Sequence, residues 1–416
     1  MPVDFDKLPP EEPVPDRPPS RFVWTIVFFV IVLACTFAVL LLWPKSEPTQ
    51  SFWFWICITV YPVGIAAFVV LRRYSVFEGR RLDAIAWNDA REKYLNRVFE
   101  DASQPLVLVA AAYRFASDAK DDAFNKLLDG SIKIEPRIAL KHDAPVNARW
   151  FDQPDTDEDG NRFNSDDERQ RHVHEWVFGE LIGDVADAIR ALPSELKVAI
   201  QLVLPDVANP GDALASWDRQ WMKSKLPLHK VEVLPEPPDL MALDAWLDRI
   251  NQKRDQQARL LVFVRLNSVL QALPPDGSAE AGVALLVMPE PMQHRFKTDS
   301  IARLHRPNDT NGCPVDIALA RALRWGRMEP SAVSRIWQCD LDPAVKNAVT
   351  AAVVKAGITG TATNIDYIVG HAGEVAPWLG IACAAKAIAR DGTPQLLVTA
   401  GKSGTCFSVL RNGGPP

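Results

Sequence analysis

Thr363-Asn-Ile-Asp-Tyr-Ile-Val-Gly-His-Ala-Gly-Glu-Val-Ala-Pro-Trp-Leu-Gly-Ile-Ala-Cys-Ala-Ala-Lys386 is the stretch on which the fold of this chain turns. It reads as a buried strand, a tight Gly370-His371-Ala372-Gly373 turn and an alanine-rich helix. The small residues Gly380, Ala382, Ala384 and Ala385 let that helix approach a neighbour closely. A second apolar strand, Gln395 to Ala400, follows. Then come Gly401-Lys-Ser-Gly-Thr405 and a last strand, Cys406 to Leu410.

Together these motifs resemble the β-ketoacyl synthases of the thiolase-like superfamily. In that family an Asn-Ile-Gly-His turn opens a small-residue helix, and a Gly-Phe-Gly-Gly-Thr loop leads into the final strand. Gly370-His371 and Gly401, Gly404 and Thr405 fall where those motifs fall, with Lys402-Ser403 in place of Phe-Gly. Gly277-Ser-Ala-Glu-Ala-Gly-Val-Ala-Leu-Leu-Val287 is similar to the family's Gly-Glu-Gly-Ala strand opening. The likeness covers residues 260–412. It implies a duplicated αβαβα fold whose halves occupy about 103–290 and 291–416, and it implies pairing with a second copy or a related chain.

Working outward, strand and helix signals alternate along the chain, as in an α/β sheet covered on its faces. A strand is expected at Leu106–Ala112, a helix at Ala119–Leu128 and a short strand at Ile132–Leu140. The helix Glu175–Leu192 and the strand Lys197–Leu204 follow. Further on come the helix Asp212–Met222, the strand His229–Leu234, the helix Asp239–Lys253 and the strands Arg259–Val264 and Val283–Met288. Residues 289–314 are polar and proline-containing and read as a link between halves. Beyond it lie the helix Val315–Arg324, the strand Ser334–Cys339 and the helix Pro343–Ala356.

Upstream the composition changes. Residues 1–21 are acidic and proline-rich without apolar periodicity, as in a disordered tail or a docking peptide. Val23–Trp43 and Phe52–Leu71 carry no charge. As a helix the first is about 31 Å long, which matches the hydrocarbon core. Phe52, Trp53, Phe54 and Trp55 suit a membrane interface, and Pro62 is a candidate kink. The two runs predict a transmembrane hairpin over 22–72, followed by a connecting helix over 73–102. Arg17 and Arg21 precede it, and Arg72, Arg73, Arg80 and Arg81 follow, whereas its turn carries only Lys45. That bias predicts cytoplasmic termini on a bacterial inner membrane. Six isolated cysteines suit a reducing compartment. The net charge of −6 and the lack of a basic cluster argue against nucleic acid as a partner.

The acidic insert 152–168 contains Asp155-Thr-Asp-Glu-Asp-Gly160, in which Asp155, Asp157 and Asp159 have calcium-loop spacing. Against calcium, position twelve is Asp166, position eight is Arg162, and no amphipathic helix precedes the loop. His172 and His174 could ligate a metal on an edge strand or open a helix, and no third ligand is apparent. Gly-Lys-Ser-Gly-Thr405 lacks P-loop spacing and leads into a strand, so it does not point to nucleotide binding. No cofactor is implied.

By the resemblance, a synthase needs a cysteine thiolate at a helix start and two further residues, usually histidines, to stabilise the enolate and oxyanion. The nucleophile's place is Pro235-Glu-Pro-Pro-Asp-Leu-Met-Ala242, which holds no cysteine, serine or histidine. Cys339-Asp340 stand where the first histidine would be, leaving His371, with Cys339 and Cys406 as alternative nucleophiles. The sequence therefore reads as a membrane-anchored, catalytically inactive thiolase-like interaction or assembly component, with a secretion system as one setting. The alternative is an acyltransferase or synthase-like enzyme acting on acyl thioesters.

Overall fold

The computed structural model describes residues 9–413 except 119, 121, 139–143, 206, 208, 228–229 and 252–256. The chain divides into two compact units, Val3–Glu100 and an α/β unit from Asp101 onward.

The first unit contains α1 (Arg21–Leu42), none of whose residues is buried. After a turn, α2 (Phe52–Trp55) runs through a π-helical segment, Ile56–Val60, into α3 (Tyr61–Ala102). The hairpin's second helix and the expected connecting helix are thus one continuous element. Pro62 does not break it. Proline has no N–H to offer the carbonyl of Ile58, and the Thr36 hydroxyl of α1 donates to that carbonyl at 3.4 Å. Two helices, Arg21–Leu42 and Phe52–Ala102, are long and apolar enough to cross a membrane. The segment expected to be a disordered tail has a defined course from Pro9 on. It lies extended and antiparallel along α3, where Asn88 exchanges two hydrogen bonds of 2.9 Å with the Glu12 backbone. Trp87 donates to the Pro10 carbonyl and Tyr74 to that of Pro19. Proline keeps such a segment extended, so its carbonyls are open to side-chain donors.

The α/β unit contains β1 (Leu106–Arg114), β2 (Pro136–Ile138), β3 (Pro145–Asn147), β4 (Val198–Val203) and β5 (Lys230–Leu234). Then come β6 (Ala258–Arg265), β7 (Ala281–Pro289), β8 (Ala302–Leu304) and β9 (Asn308–Asp309). The last four are β10 (Arg335–Cys339), β11 (Thr361–Asn364), β12 (Gln395–Gly401) and β13 (Gly404–Asn412). The main sheet runs β11-β10-β12-β13-β8-β1-β7-β6-β4-β5, with β9 added on β13.

This order conceals a repeat. In the first half, β4 pairs in parallel with β5 and β6, and β7 pairs antiparallel with β6 and β1. In the second half, β10 pairs in parallel with β11 and β12, and β13 pairs antiparallel with β12 and β8. The pairing graphs are identical, and β1 joins β8 at the seam. The three-residue β8 therefore stands at the centre of the sheet, inside the stretch read as a link. Its brevity and Arg303 hid it from a search for apolar runs.

The helices follow the same repeat. After α4 (Phe124–Asp129), α5 (Asp166–Arg190) and α6 (Pro210–Lys223) pack on one face of the first half-sheet, and α7 (Met241–Asn251) packs on the other. After α8 (Glu290–Phe296), α9 (Val315–Trp325) and α10 (Pro343–Lys355) cover the outer face of the second half-sheet. The one-turn α11 (Ile365–Ile368) leads toward α12 (Ala376–Asp391), which shares with α7 a core built from the inner faces of both halves. Alternate residues of each strand serve the two cores: Trp337 and Cys339 face inward, whereas Ile336 faces α9 and α10. The result is five layers. α12 is buried along nearly its whole length. A Cβ on Gly380 would lie 2.6 Å from Leu397 Cδ1 and 3.3 Å from Cys339 Sγ, so a larger residue here would make these core side chains shift.

Several boundaries differ from expectation for local reasons. α5 starts at Asp166, nine residues before the expected Glu175, because Ser165 caps it. Ser165 Oγ accepts from the Glu168 N–H at 3.3 Å, and Glu168 reaches back to the Asn164 N–H at 2.9 Å. Of the helix expected over Ala119–Leu128, the described residues show α4, starting at Phe124; ahead of it the Asp122 carboxylate accepts the Phe115 and Ala116 N–H groups. Residues 119 and 121 lie outside the described residues, as do 139–140 of the Ile132–Leu140 strand and His229. The strand expected before the Gly370-His371 turn stops at Asn364, whose side chain accepts from the Tyr367 N–H and starts α11.

Candidate functional site

The two sequence motifs around Gly277 and Gly370 meet. The His371 N–H donates to the Gly277 carbonyl at 2.8 Å, and the Ala279 N–H donates to the His371 carbonyl at 3.0 Å. Gly370 has φ +114°, a conformation that L side chains rarely adopt. Next to this turn Glu280, wholly buried, accepts two hydrogen bonds of 2.9 Å from the equally buried Arg169. It also accepts from the backbone N–H groups of Phe151 and Asn267, both at 2.8 Å. The motif glutamate is thus an internal staple between β7, α5 and two loops.

His371 itself is half exposed, with Nδ1 3.5 Å from Asp340 Oδ1. Asp340 follows β10 with φ +57°, at the place where the resemblance put a histidine. Its N–H donates to Asp366 at 2.7 Å. Glu374, paired with Arg265 at 3.3 Å, completes a largely acidic group. Burial raises the Asp340 carboxyl. It also pushes Asp366 up to about 6, against the pull of the Asp340 N–H and of His371. Folded Asp366 thus binds its proton more tightly than the unfolded residue, whose pKa is about 4. Its charge burdens the fold above about pH 6, and this burden lifts as pH falls toward 4. Asp366→Asn should therefore stabilise the chain by about 1–2 kcal/mol near pH 7, with a gain that vanishes near pH 4. Urea midpoints across pH check this, and a variant less stable than the parent near neutrality would refute it.

A second group forms at the start of α7. Asp239, just before the helix, accepts from the Lys402 backbone N–H in the Gly401–Gly404 turn at 3.4 Å. Met241 Sδ lies 3.9 Å from Cys406 Sγ. Gly404 has φ +131° and lies under Thr310, whose hydroxyl accepts from the Thr405 N–H at 2.9 Å. Gly401, Gly404 and Thr405 thus shape a two-residue hairpin turn that abuts the helix start expected to carry a nucleophile.

The candidate thiols are not placed for attack. Cys339 is fully buried, with Sγ 4.0 Å from the Val398 carbonyl, and burial raises its thiol well above the usual range. Cys406 is likewise buried and raised, chiefly by desolvation. A reactive cysteine needs the opposite: access and a positive neighbourhood. The carboxylates of Asp340, Asp366 and Glu374 would also oppose an oxyanion, by about 4 kcal/mol per charge at 4 Å and an effective dielectric constant of about 20.

The acidic insert has closed on itself. The Asp157 carboxylate accepts from the N–H groups of Asp159 at 3.0 Å and Asn161 at 2.6 Å. Asp166, the twelfth position of the calcium spacing, is instead buried and receives the N–H groups of Val269, Leu270 and Gln271. Among the described residues no cluster of three or more His, Cys, Asp or Glu side chains could hold a metal. His174 is buried in α5 against Phe178, and burial holds its pKa down at about 4; His172 packs by Phe163.

No protein-family profile matches the sequence, and no curated protein does. Solved structures match in fold. One is a type II polyketide ketosynthase in complex with its acyl-carrier protein and bound to a hexaketide. It has a TM-score of 0.51 and 9% identity over 74% of this chain and 99% of that one. Another is the ketosynthase from module 6 of the bacillaene synthase of Bacillus subtilis 168, with a TM-score of 0.51 and 13% identity over 74% of this chain and 70% of that one. At such identities the likeness is one of fold: the α/β unit has the ketosynthase, thiolase-like architecture.

Proposed function

We propose that this chain, with its ketosynthase-like fold, is a membrane-anchored and catalytically silent interaction or assembly component on the cytoplasmic face of a bacterial inner membrane. The observation that carries the reading is the start of α7. There Asp239 engages the Lys402 N–H, and no cysteine, serine or histidine stands between Pro235 and Ala242. The residues retained from the family motifs, Glu280, Gly370, Gly404 and Thr405, shape the backbone, whereas of the three positions that would perform chemistry only His371 is kept: Asp340 stands in place of the first histidine and carboxylates and apolar residues in place of the nucleophile. Anchoring is supported by the two long apolar helices, and orientation by the arginines that flank them. A platform of this fold would work through protein surfaces, with a second copy or a related chain as the first partner to seek.

Anchoring and orientation are tested on native membranes. Alkaline carbonate should leave the full chain in the pellet. Protease added to intact spheroplasts should spare the α/β unit, and protease added to inverted vesicles should digest it. Release by carbonate, or digestion from the outside, would sink this part of the proposal.

A further inference from the structure

Arginines gather where the two apolar helices of the first unit meet the polar chain. Thr36 of α1 donates to Ile58, and Pro19, two residues before α1, accepts from the Tyr74 hydroxyl of α3 at 3.1 Å. The two helices therefore run antiparallel. Fifteen residues back from Thr36 stands Arg21, and fifteen residues on from Ile58 stands Arg73, at the same level. Phe22 and Leu71, 75% and 66% exposed, close the uncharged runs just inside that level. Arg17, Arg21, Arg72 and Arg73 are all exposed, and among the described residues no carboxylate pairs with any of the four. Glu78, the first acidic residue beyond them on α3, is engaged by Arg81 at 3.0 Å, and Asp16 is the nearest acidic residue on the segment before α1. The first turn of α1 holds no acidic residue, so the positive end of its dipole adds to the same field.

On the anchored reading above, on which this inference rests, the hydrocarbon core begins at Phe22 and Leu71, so these arginines lie at the depth of the lipid phosphates. Guanidinium forks match phosphate oxygens two at a time. We propose that Arg17, Arg21, Arg72 and Arg73 form a site for the phosphate headgroup of an anionic phospholipid, with preference for phosphatidylglycerol over zwitterionic phosphatidylcholine. Each juxtamembrane arginine contributes about fivefold in affinity toward an anionic lipid surface.

The test uses the full chain in nanodiscs of phosphatidylcholine with a rising fraction of phosphatidylglycerol. Native mass spectrometry counts the lipids that the released chain retains. Nanodiscs present two equal leaflets, so the direction of insertion does not bias the count. Retained phosphatidylglycerol should exceed its bulk share by roughly twentyfold and saturate at about one molecule per chain. Arg21→Gln/Arg73→Gln should bring it to within about twofold of the bulk share, whereas Arg97→Gln, the same change of charge about 36 Å further along α3, should leave it intact. Should the double variant fail to reconstitute, Arg72→Gln alone should still cost about fivefold. Excess inorganic phosphate should not displace the lipid. Absent enrichment, a count that climbs without saturating, enrichment that survives these substitutions, or displacement by free phosphate would each overturn the proposal. A chain that enters nanodiscs without lipid preference sinks the proposal alone; one that enters no nanodisc sinks the anchored reading as well.

Discussion

Glu280→Ala should destabilise the α/β unit by about 3–5 kcal/mol, because it strands the Arg169 guanidinium as an uncompensated buried charge. Arg169 is 2% exposed and Glu280 is fully buried, so water cannot replace either partner without opening the core. The same substitution removes the acceptor for the Phe151 and Asn267 N–H groups, two further buried donors. Glu280→Gln should be milder but still destabilising, since it keeps an acceptor oxygen and loses the charge. Chemical unfolding monitored by tryptophan fluorescence checks the order. An alanine variant within about 1 kcal/mol of the parent would mean that the staple is not what holds α5 to β7.

The second large effect is expected at Gly370. A Cβ there would sit 2.7 Å from the Ala279 Cβ and 3.2 Å from the carbonyl oxygens of Gly277 and Ser278, on a backbone with φ +114°. Conformational strain of about 1–3 kcal/mol and a comparable overpacking cost predict a loss of about 2–5 kcal/mol for Gly370→Ala. His371→Ala should cost less than about 1 kcal/mol, because its half-exposed side chain makes only a 3.5 Å contact with Asp340. The backbone bonds from His371 to Gly277 and Ala279 survive that change. A histidine variant less stable than the glycine variant would show that the imidazole, and not the turn, is the retained feature.

These contrasts explain how much the sequence could disclose. The closing elements were legible because α12, β12 and β13 are long, apolar and separated by glycine turns, so their local preference and their final burial agree. The seam of the sheet was not. Three residues of β8, one of them Arg303, carry no periodic signal, and only their pairing with β1 and β13 makes them central. The start of α5 carried a readable sign, Ser165 followed three residues later by Glu168, which the acidic run Asp166-Asp167-Glu168 disguised as a solvated loop. The two acidic surroundings of the site were beyond reach for a different reason. Asp239 meets Lys402 across 163 positions, and Arg169 meets Glu280 across 111, so nothing local marks either carboxylate as engaged. What the sequence did disclose about chemistry was the lack of a nucleophile before α7 and the presence of Asp340 in place of a histidine. The structure adds that Cys339 and Cys406 are interior thiols.

Catalytic silence is the central claim, and intact-protein mass spectrometry tests it most directly. The purified full chain is incubated near neutral pH with malonyl and long-chain acyl thioesters, then with a maleimide, and the masses are mapped by peptide. The account predicts no acyl adduct, and no maleimide on Cys339, Cys383 or Cys406 until the chain is denatured, because burial raises all three thiols. A stoichiometric acyl adduct on any one residue would contradict it and identify the nucleophile of an enzyme.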